Sequence, residues 1–321
     1  MLVSILIPCF NAERFIRQCI DSALAQIWPD KEIIVVDDGS TDGSLDIIRS
    51  FDGRIRWETG PNRGGNATRN RLLEFAGGEW LQYLDADDYL RPGKIRGQAE
   101  FAQHHPAVDV ICSPTVSEKM QGGRTVLLES QFVSKRDPWI MLARWHLPQT
   151  GGTLWKRTAL QKVGGWRSNQ PCCQEHELYE RLLEAGCRFE FLDEGLAVYR
   201  EWNDNSRLTH KLADEVERQR LVIMDRMERA LRDRQRLTLA RRQAINDLRH
   251  EIARKTWLKD EQAALDIVRT IERSDPSFFP SETPASPPAY RLVYKAIGFR
   301  GAQRLAAGRR KIASQIADYL H

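Results

Sequence analysis

No stretch of the 321-residue chain approaches the ~18 consecutive apolar residues of a membrane span. The opening run, MLVSILIPCF, is short, has no basic segment before it and passes straight into polar residues, which is not the build of a secretory leader. Six cysteines, Cys9, Cys19, Cys112, Cys172, Cys173 and Cys187, form no paired CxxC spacing and no small-domain disulfide framework. Packed free thiols in a reducing compartment are the expectation, and with them a soluble, cytoplasmic protein. The formal charge is only +4, so the broad basic face of a nucleic-acid binder is missing and no nucleic-acid partner is expected. Internal repeats are absent, as are the GxGxxG and P-loop phosphate fingerprints. His176-Glu177-Leu178 does not continue into HExxH, which removes a zinc-protease reading.

What is present is 41% hydrophobic and 29% charged, enough for a sizeable core in one large or two modest domains. Residues 3–7 (VSILI) and the run EIIVVDDGS read as buried strands, Arg54 to Thr59 and Trp80 to Leu84 as further ones. Helical spacing appears over 12–27, 42–51 and 66–76. Strand alternating with helix predicts an α/β fold with a mostly parallel sheet covered on both faces. The middle, to about residue 205, is less regular: strands are expected at Val108 to Cys112 and Thr125 to Leu128, and helices at 136–143, 156–163 and 175–185. From about Leu212 the pattern is helical, with a stripe of Val216, Ile223, Met224, Met227 and Leu231 and another of Ala244, Ile245, Leu248 and Ile252. Residues 274–289 are rich in Pro and Ser and read as a linker. The last segment carries seven Lys and Arg against Asp318, about +6. It reads either as a solvated or partner-packed helix face, or as a surface for anionic lipid with Leu292, Val293, Ile297 and Phe299 inserted.

Four motifs carry chemistry. Asp85-Ala86-Asp87-Asp88 follows a strand; three carboxylates in four residues repel one another and suit a hard divalent cation, although a solvated turn would also carry them. Asp37-Asp38-Gly39-Ser40 follows another strand and offers either a carboxylate to a base or ribose or a cap to the next helix. Both clusters lie at strand carboxyl ends, where α/β sheets bind ligands. Asn62-Arg63-Gly64-Gly65-Asn66-Ala67-Thr68-Arg69 combines a glycine pair with a guanidinium fork fit for phosphate, or is a turn before a helix. Glu175, at the start of a helix, could take a proton from a hydroxyl, although glutamate is common at helix starts on electrostatic grounds alone.

In this order, Ile5 to Asn11 (ILIPCFN), VVDDGSTDGS (35–44), NRGGNATRN (62–70), YLDADD (83–88), Val163-Gly164-Gly165-Trp166 and Gln174-Glu175-His176-Glu177-Leu178 resemble the family 2 glycosyltransferases of the GT-A fold. The resemblance covers about residues 3–205. It implies a Rossmann-like GT-A domain over 1–205, with a nucleotide-sugar half (1–90) and an acceptor half (91–205). A helical extension (206–273), the linker (274–289) and the basic tail (290–321) follow.

The same resemblance implies the roles. Pro8, Cys9 and Phe10 would line the base pocket, and Asp38 would bond the base, usually uracil. Asn66, Arg69, Asp85 and Asp87 would serve the nucleotide-sugar, with Asp87 and Asp88 at a Mn2+ or Mg2+ ion. Gly165 and Trp166 would shape the donor–acceptor pocket, and Arg200, in a Tyr199-Arg200 pair, would be a phosphate or loop contact. The family's base is commonly the Asp of a Glu-Asp pair; here Gln174-Glu175 stands there, so Glu175 becomes the expected base, one methylene longer. The implied reaction is inverting transfer from a nucleotide-diphosphate-sugar, usually UDP-linked, to a hydroxyl of a glycan, a lipid-linked carrier or another acceptor. A homo-oligomer and a peripheral contact with the inner membrane face are compatible partners. Two other readings stand beside it: a GT-A module that binds nucleotide-sugar without turnover, and a sugar nucleotidyltransferase, although the latter would want a basic Gly-rich loop where Pro8-Cys9-Phe10-Asn11 stands.

Overall fold

The computed structural model describes residues 1–121, 124–129, 137–201 and 212–319, with side chains to residue 307 in the last stretch. Arg136, Trp202 to Lys211, which hold the expected start of the helical extension, and the side chains of Arg309, Arg310 and Lys311 lie outside the described residues. Contacts divide the chain into two compact units, Met1–Gln219 and Arg220–His321.

The first unit is built on β1 (Val3–Cys9), whose residues are buried on both faces apart from a half-buried Pro8. That is the pattern of a central strand in a parallel sheet. It pairs in parallel with β2 (Lys31–Asp37), Val3 to Lys31 through Cys9 to Asp37, and with β4 (Trp80–Tyr83), Val3 to Trp80 through Leu6 to Tyr83. Helices α1 (Ile16–Leu24), α2 (Ser44–Arg49) and α3 (Gly65–Phe75) connect these strands and β3 (Arg56–Thr59). The chain continues through β5 (Tyr89–Leu90), α4 (Lys94–His104), β6 (Val110–Cys112), β7 (Thr115–Gln121), β8 (Arg124–Glu129), α5 (Pro138–Ala143), β9 (Thr153–Lys156), α6 (Arg157–Lys162), α7 (Gln174–Glu184), β10 (Phe189–Phe191) and β11 (Ala197–Glu201). Among the described residues the main sheet has the order β10-β6-β9-β4-β1-β2-β3, and a smaller one the order β5-β11-β7-β8. Only β9 runs against its neighbours in the main sheet. The fold class is therefore the expected mostly parallel α/β sheet.

Strand order reverses at β1: β2 and β3 lie to one side, β4 to the other. A crevice opens at such a switch point, beyond the strand ends. Pro8 fits there for a simple reason. Leu6 is the last β1 residue paired with β4, and its carbonyl accepts from Leu84. Two residues on, Pro8 points its nitrogen the same way, past the end of the pairing, so its missing N–H breaks no ladder.

Sequence reading missed α4 because Lys94 and Gln98 occupy its buried face, each 2% exposed, and break the apolar period. Burial pushes the Lys94 ammonium well below the ordinary lysine range. None of the six cysteines is in a disulfide.

The second unit continues α8 (Ala213–Asp233) and holds α9 (Leu239–Thr256), α10 (Glu261–Ser274) and α11 (Pro288–Tyr319). The expected stripes are buried at Ile223, Met224, Met227 and Leu231 on α8 and at Ala244, Ile245, Leu248 and Ile252 on α9, while Val216 is half-buried. A buried Arg249 pairs with Glu228 and, at 2.6 Å, with Asp225. The Pro/Ser-rich 274–289 stretch is tied to α9: Ser281 N–H donates to Asp247 at 2.9 Å and Gln243 to the Phe279 carbonyl at 2.9 Å. Leu292 and Ile297 are exposed, but Phe299 is buried beside Trp257, which withdraws it from the set of residues available to a lipid surface. No helix among the described residues is long and apolar enough to cross a membrane.

Candidate active site

A cleft of about 620 Å3 opens at the carboxyl ends of β1, β2 and β4, a volume typical of small-molecule sites. Pro8, Cys9 and Phe10 line it from β1, Asp38 from β2, Gly64, Gly65, Thr68 and Arg69 from the start of α3, and Asp85 and Asp87 from the loop after β4. Seven of the expected site residues thus converge. Phe10 is half exposed, an aromatic face free for a planar ring. Burial, with Asp37 nearby, pushes the Cys9 thiol up to about 12, so it stays protonated and is no nucleophile.

The two aspartates after β2 divide their tasks. Asp37 is 1% exposed and faces inward, accepting from Thr59 Oγ1 at 2.7 Å. Asp38 accepts from the backbone N–H groups of Arg63 (2.8 Å) and Gly64 (2.9 Å), so one carboxylate fixes the glycine-bearing loop and still borders the cleft. Asn11, in the left-handed region at φ 49°, ties the β1 end to the same loop system by accepting from Thr41 N–H at 2.8 Å. Asparagine tolerates that conformation better than most side chains. Asn11, Phe15, Asn62 and Thr68 also line the cleft. Asn11, Asn62 and Thr68 stand inside the quoted motifs but carried no assigned role, and Phe15 falls four residues past Asn11, in the stretch with helical spacing.

Arg69 is the hub. Its guanidinium donates to Asp85 Oδ1 at 2.7 Å and lies 5.0 Å from the centre of the Trp166 ring. Burial opposes its charge, but Asp85 and then Glu175 outweigh that and raise its pKa. Trp166 itself is 2% exposed and held at both backbone groups by Asn70, at 2.8 and 2.7 Å. Gly165, at φ +68°, is required there: a Cβ would lie 2.5 Å from Asn70 Oδ1. Arg181 fixes the turn from behind, donating to the carbonyls of Val163 (2.6 Å) and Gly165 (2.8 Å) while paired with buried Glu177. Gly165 and Trp166 therefore shape the region through Arg69 and do not line the cleft.

Glu175 is the second residue of α7, 9% exposed, with Oε1 accepting from Thr150 Oγ1. It lies close enough to Arg69 to act on its charge, but outside the cleft lining. The next residue, His176, stacks on Trp145 with ring centres 3.8 Å apart.

Three more of the expected residues stand outside the cleft lining. Asn66 is buried and donates to the carbonyls of Arg167 (2.8 Å) and Gln170 (3.1 Å), so it shapes a loop instead of facing a ligand. Asp88 is 4% exposed and points away from the cleft, its Oδ1 accepting from Arg200 N–H at 3.0 Å. Burial first, then the carboxylates of Asp87 and Asp85, push Asp88 well above the ordinary carboxylate range. Arg200 is 3% exposed and outside the cleft lining, and of the two contacts expected of it, phosphate or loop, it makes the second, to the acidic loop.

Among the described residues no three His, Cys, Asp or Glu side chains surround one point. The carboxylates that line the cleft are Asp38, Asp85 and Asp87, the last two from one loop. These are hard oxygen donors, and Mg2+ and Mn2+ accept such a partial set when phosphate oxygens and water complete it. The donor chemistry therefore fits a divalent ion at Asp85 and Asp87.

A family model described as glycosyl transferase family 2 matches residues 4–163. The chain is 38% identical over 228 residues to an uncharacterized glycosyltransferase, EpsJ, of Bacillus subtilis (strain 168), covering 64% of this chain and 62% of that protein. It is 41% identical over 97 residues to a chondroitin synthase of Pasteurella multocida (strain Pm70), 29% of this chain and 10% of that one. The chain thus matches less than two thirds of the length of these relatives. Among solved structures, S. aureus TarS 1–349 in complex with UDP-GlcNAc superposes with a TM-score of 0.66 at 17% identity, over 97% of this chain and 92% of that one. A mannosyltransferase, PcManGT, of Pyrobaculum calidifontis, in complex with GDP-Man and Mn2+, gives 0.53 at 16% identity, over 97% and 86%. At such identities the likeness is one of fold.

Proposed function

The chain belongs to glycosyl transferase family 2, with the GT-A fold, and from that premise we propose that it is an inverting glycosyltransferase that moves a sugar from a nucleoside-diphosphate donor, UDP-linked, onto a hydroxyl of a glycan or lipid-linked acceptor. One observation carries the proposal. A single cleft gathers an aromatic edge (Phe10), a carboxylate for the base (Asp38), a guanidinium (Arg69) and two further carboxylates (Asp85, Asp87), with Glu175 near enough to act on the Arg69 charge.

The nucleotide base packs against Pro8 to Phe10 and donates to Asp38, whose oxygens keep lone pairs beyond the two backbone N–H groups they already accept. Asp85 and Asp87 are the residues that would hold Mn2+ or Mg2+, and the ion would supply positive charge to offset that of the diphosphate. Arg69, fixed between Asp85 and the Trp166 face, adds a permanent positive charge beside the sugar–diphosphate end. Glu175, oriented by Thr150, takes the proton of the acceptor hydroxyl as its oxygen attacks the anomeric carbon opposite the leaving group.

The test is a thermal-shift screen of UDP, GDP, CDP and their sugars with and without MnCl2. One base should stabilise the protein, and more so with metal; at 100 times Kd the gain is about 2.7 kcal/mol. Chelation should remove the metal-dependent part. No response to any nucleotide would sink the proposal, and release of pyrophosphate instead of nucleoside diphosphate would favour a nucleotidyltransferase.

A further inference from the structure

Arg200 joins three parts of the first unit. Its guanidinium donates to the Asp87 carbonyl at 2.8 Å, to Glu118 Oε1 on β7 at 3.2 Å and to Gln18 Oε1 on α1. It lies over Tyr89, 4.6 Å from the ring centre, and near Phe15, at 5.6 Å. Tyr89 in turn donates its hydroxyl to Glu118 Oε2 at 2.9 Å. The Arg200 backbone N–H reaches Asp88 Oδ1, and the Asp88 N–H closes the turn on the Asp85 carbonyl at 2.9 Å. β11, which carries Arg200, pairs with β5 directly after the acidic loop, Ala197 opposite Leu90 and Val198 opposite Tyr89.

We infer that Arg200, with Asp88, is a positioning residue for the acidic loop: it grips the Asp87 peptide from below and thereby aims the Asp87 side chain into the cleft. Three features carry this. A guanidinium at 3% exposure is costly to dehydrate unless its donors are used, and here they are spent on three different segments. The atom it holds on the loop is the Asp87 carbonyl, whose direction is set by the same peptide plane that orients the Asp87 backbone. The neighbouring Asp88 carboxylate is turned inward and occupied, so adjacent aspartates on one loop face opposite ways, one toward the cleft and one toward the β11 strand.

Phosphate contact is a different role and makes a different prediction. A residue beneath the loop acts on metal binding through Asp87; a residue touching phosphate acts on nucleotide binding with or without metal. Lysine at 200 keeps the charge but has one nitrogen in place of the fork, and cannot hold three acceptors in those directions.

The inference rests on the cleft being a donor site, and the experiment separates the two. Binding of UDP is followed by calorimetry and thermal shift across a MnCl2 titration for wild type, Arg200→Lys and Gln18→Ala. Gln18 is exposed on α1, so its loss leaves the core intact and the second variant serves if the first does not fold. Residues that orient metal ligands typically cost 10- to 100-fold in metal affinity. The expected result is a Mn2+ midpoint raised about 10- to 100-fold in Arg200→Lys and less in Gln18→Ala, with metal-free UDP affinity within about twofold of wild type. A parallel loss of UDP affinity without metal would make Arg200 a phosphate contact and overturn the inference. An unchanged midpoint in both variants, or in Gln18→Ala alone should Arg200→Lys not fold, would leave Arg200 purely structural and overturn it as well. A wild type that shows no Mn2+-dependent UDP response would instead overturn the donor-site reading.

Discussion

Replacing Glu175 by Gln is the sharpest test of the chemistry. The substitution keeps the side chain's shape, and the amide oxygen can still accept from Thr150 Oγ1. What it removes is the charge and the ability to take a proton. A positioned general base contributes about 10²- to 10⁴-fold, so kcat should fall by that factor, about 3 to 5 kcal/mol in barrier height. The structural side effects are small by comparison. A hydrogen bond to a charged acceptor becomes one to a neutral acceptor, a loss of about 1 kcal/mol in stability. Arg69 loses one of the two negative groups that sustain its charge but keeps Asp85 at 2.7 Å. Because Glu175 does not line the cleft, donor affinity should stay within about threefold. The assay is continuous detection of released nucleoside diphosphate at saturating donor and acceptor, with donor Kd measured separately by calorimetry. Turnover within tenfold of wild type would remove Glu175 from the mechanism. A loss of donor binding equal to the loss of turnover would show that its role is to support Arg69, not to move a proton.

Two further outcomes follow from packing and protonation. Gly165→Ala should lower stability by about 1–2 kcal/mol from the left-handed backbone alone, with more from the approach to Asn70, and should shift Trp166 fluorescence; an unchanged melting temperature would mean the turn is not constrained as described. His250 is buried, and burial first, then the Arg254 charge, brings its pKa from 6.5 down to about 3. The folded protein therefore keeps it neutral where the unfolded chain binds a proton, so stability is full above about pH 6.5 and falls by about 1.4 kcal/mol per pH unit on acidification toward 3. His250→Gln should flatten that part of the stability–pH curve measured by denaturant melts; an unaltered acid slope would refute the assignment.

The parallel core was legible because its information is local. Runs such as VSILI and EIIVV need burial on both faces wherever they go, and the acidic motifs at their ends mark the ligand side of any sheet they build. The motif residues that converge, Pro8 to Phe10, Asp38, Arg69, Asp85 and Asp87, do so because they stand at or just past the carboxyl ends of adjacent strands or on the first turns of the helix beside them. Legibility failed where the deciding partner is distant in the chain. Lys94 and Gln98 hid α4 because polar residues on a core face erase the helical period, and their burial depends on neighbours that periodicity cannot register. β9 and β10 escaped notice because strands of four and three residues are too short to show alternation.

The acidic loop draws the line most clearly. The amino-acid order alone determined that three carboxylates follow a buried strand beside a glycine-bearing, arginine-bearing turn, and hence that a charged site stands there. Which of them faces the cleft was decided by tertiary structure: Arg200, 112 residues along the chain from Asp88, binds that carboxylate and the Asp87 carbonyl. A side chain's direction is a property of the whole set of contacts that hold its peptide. Those contacts come from strands paired across the fold, whereas a motif records only which residues are adjacent in the chain.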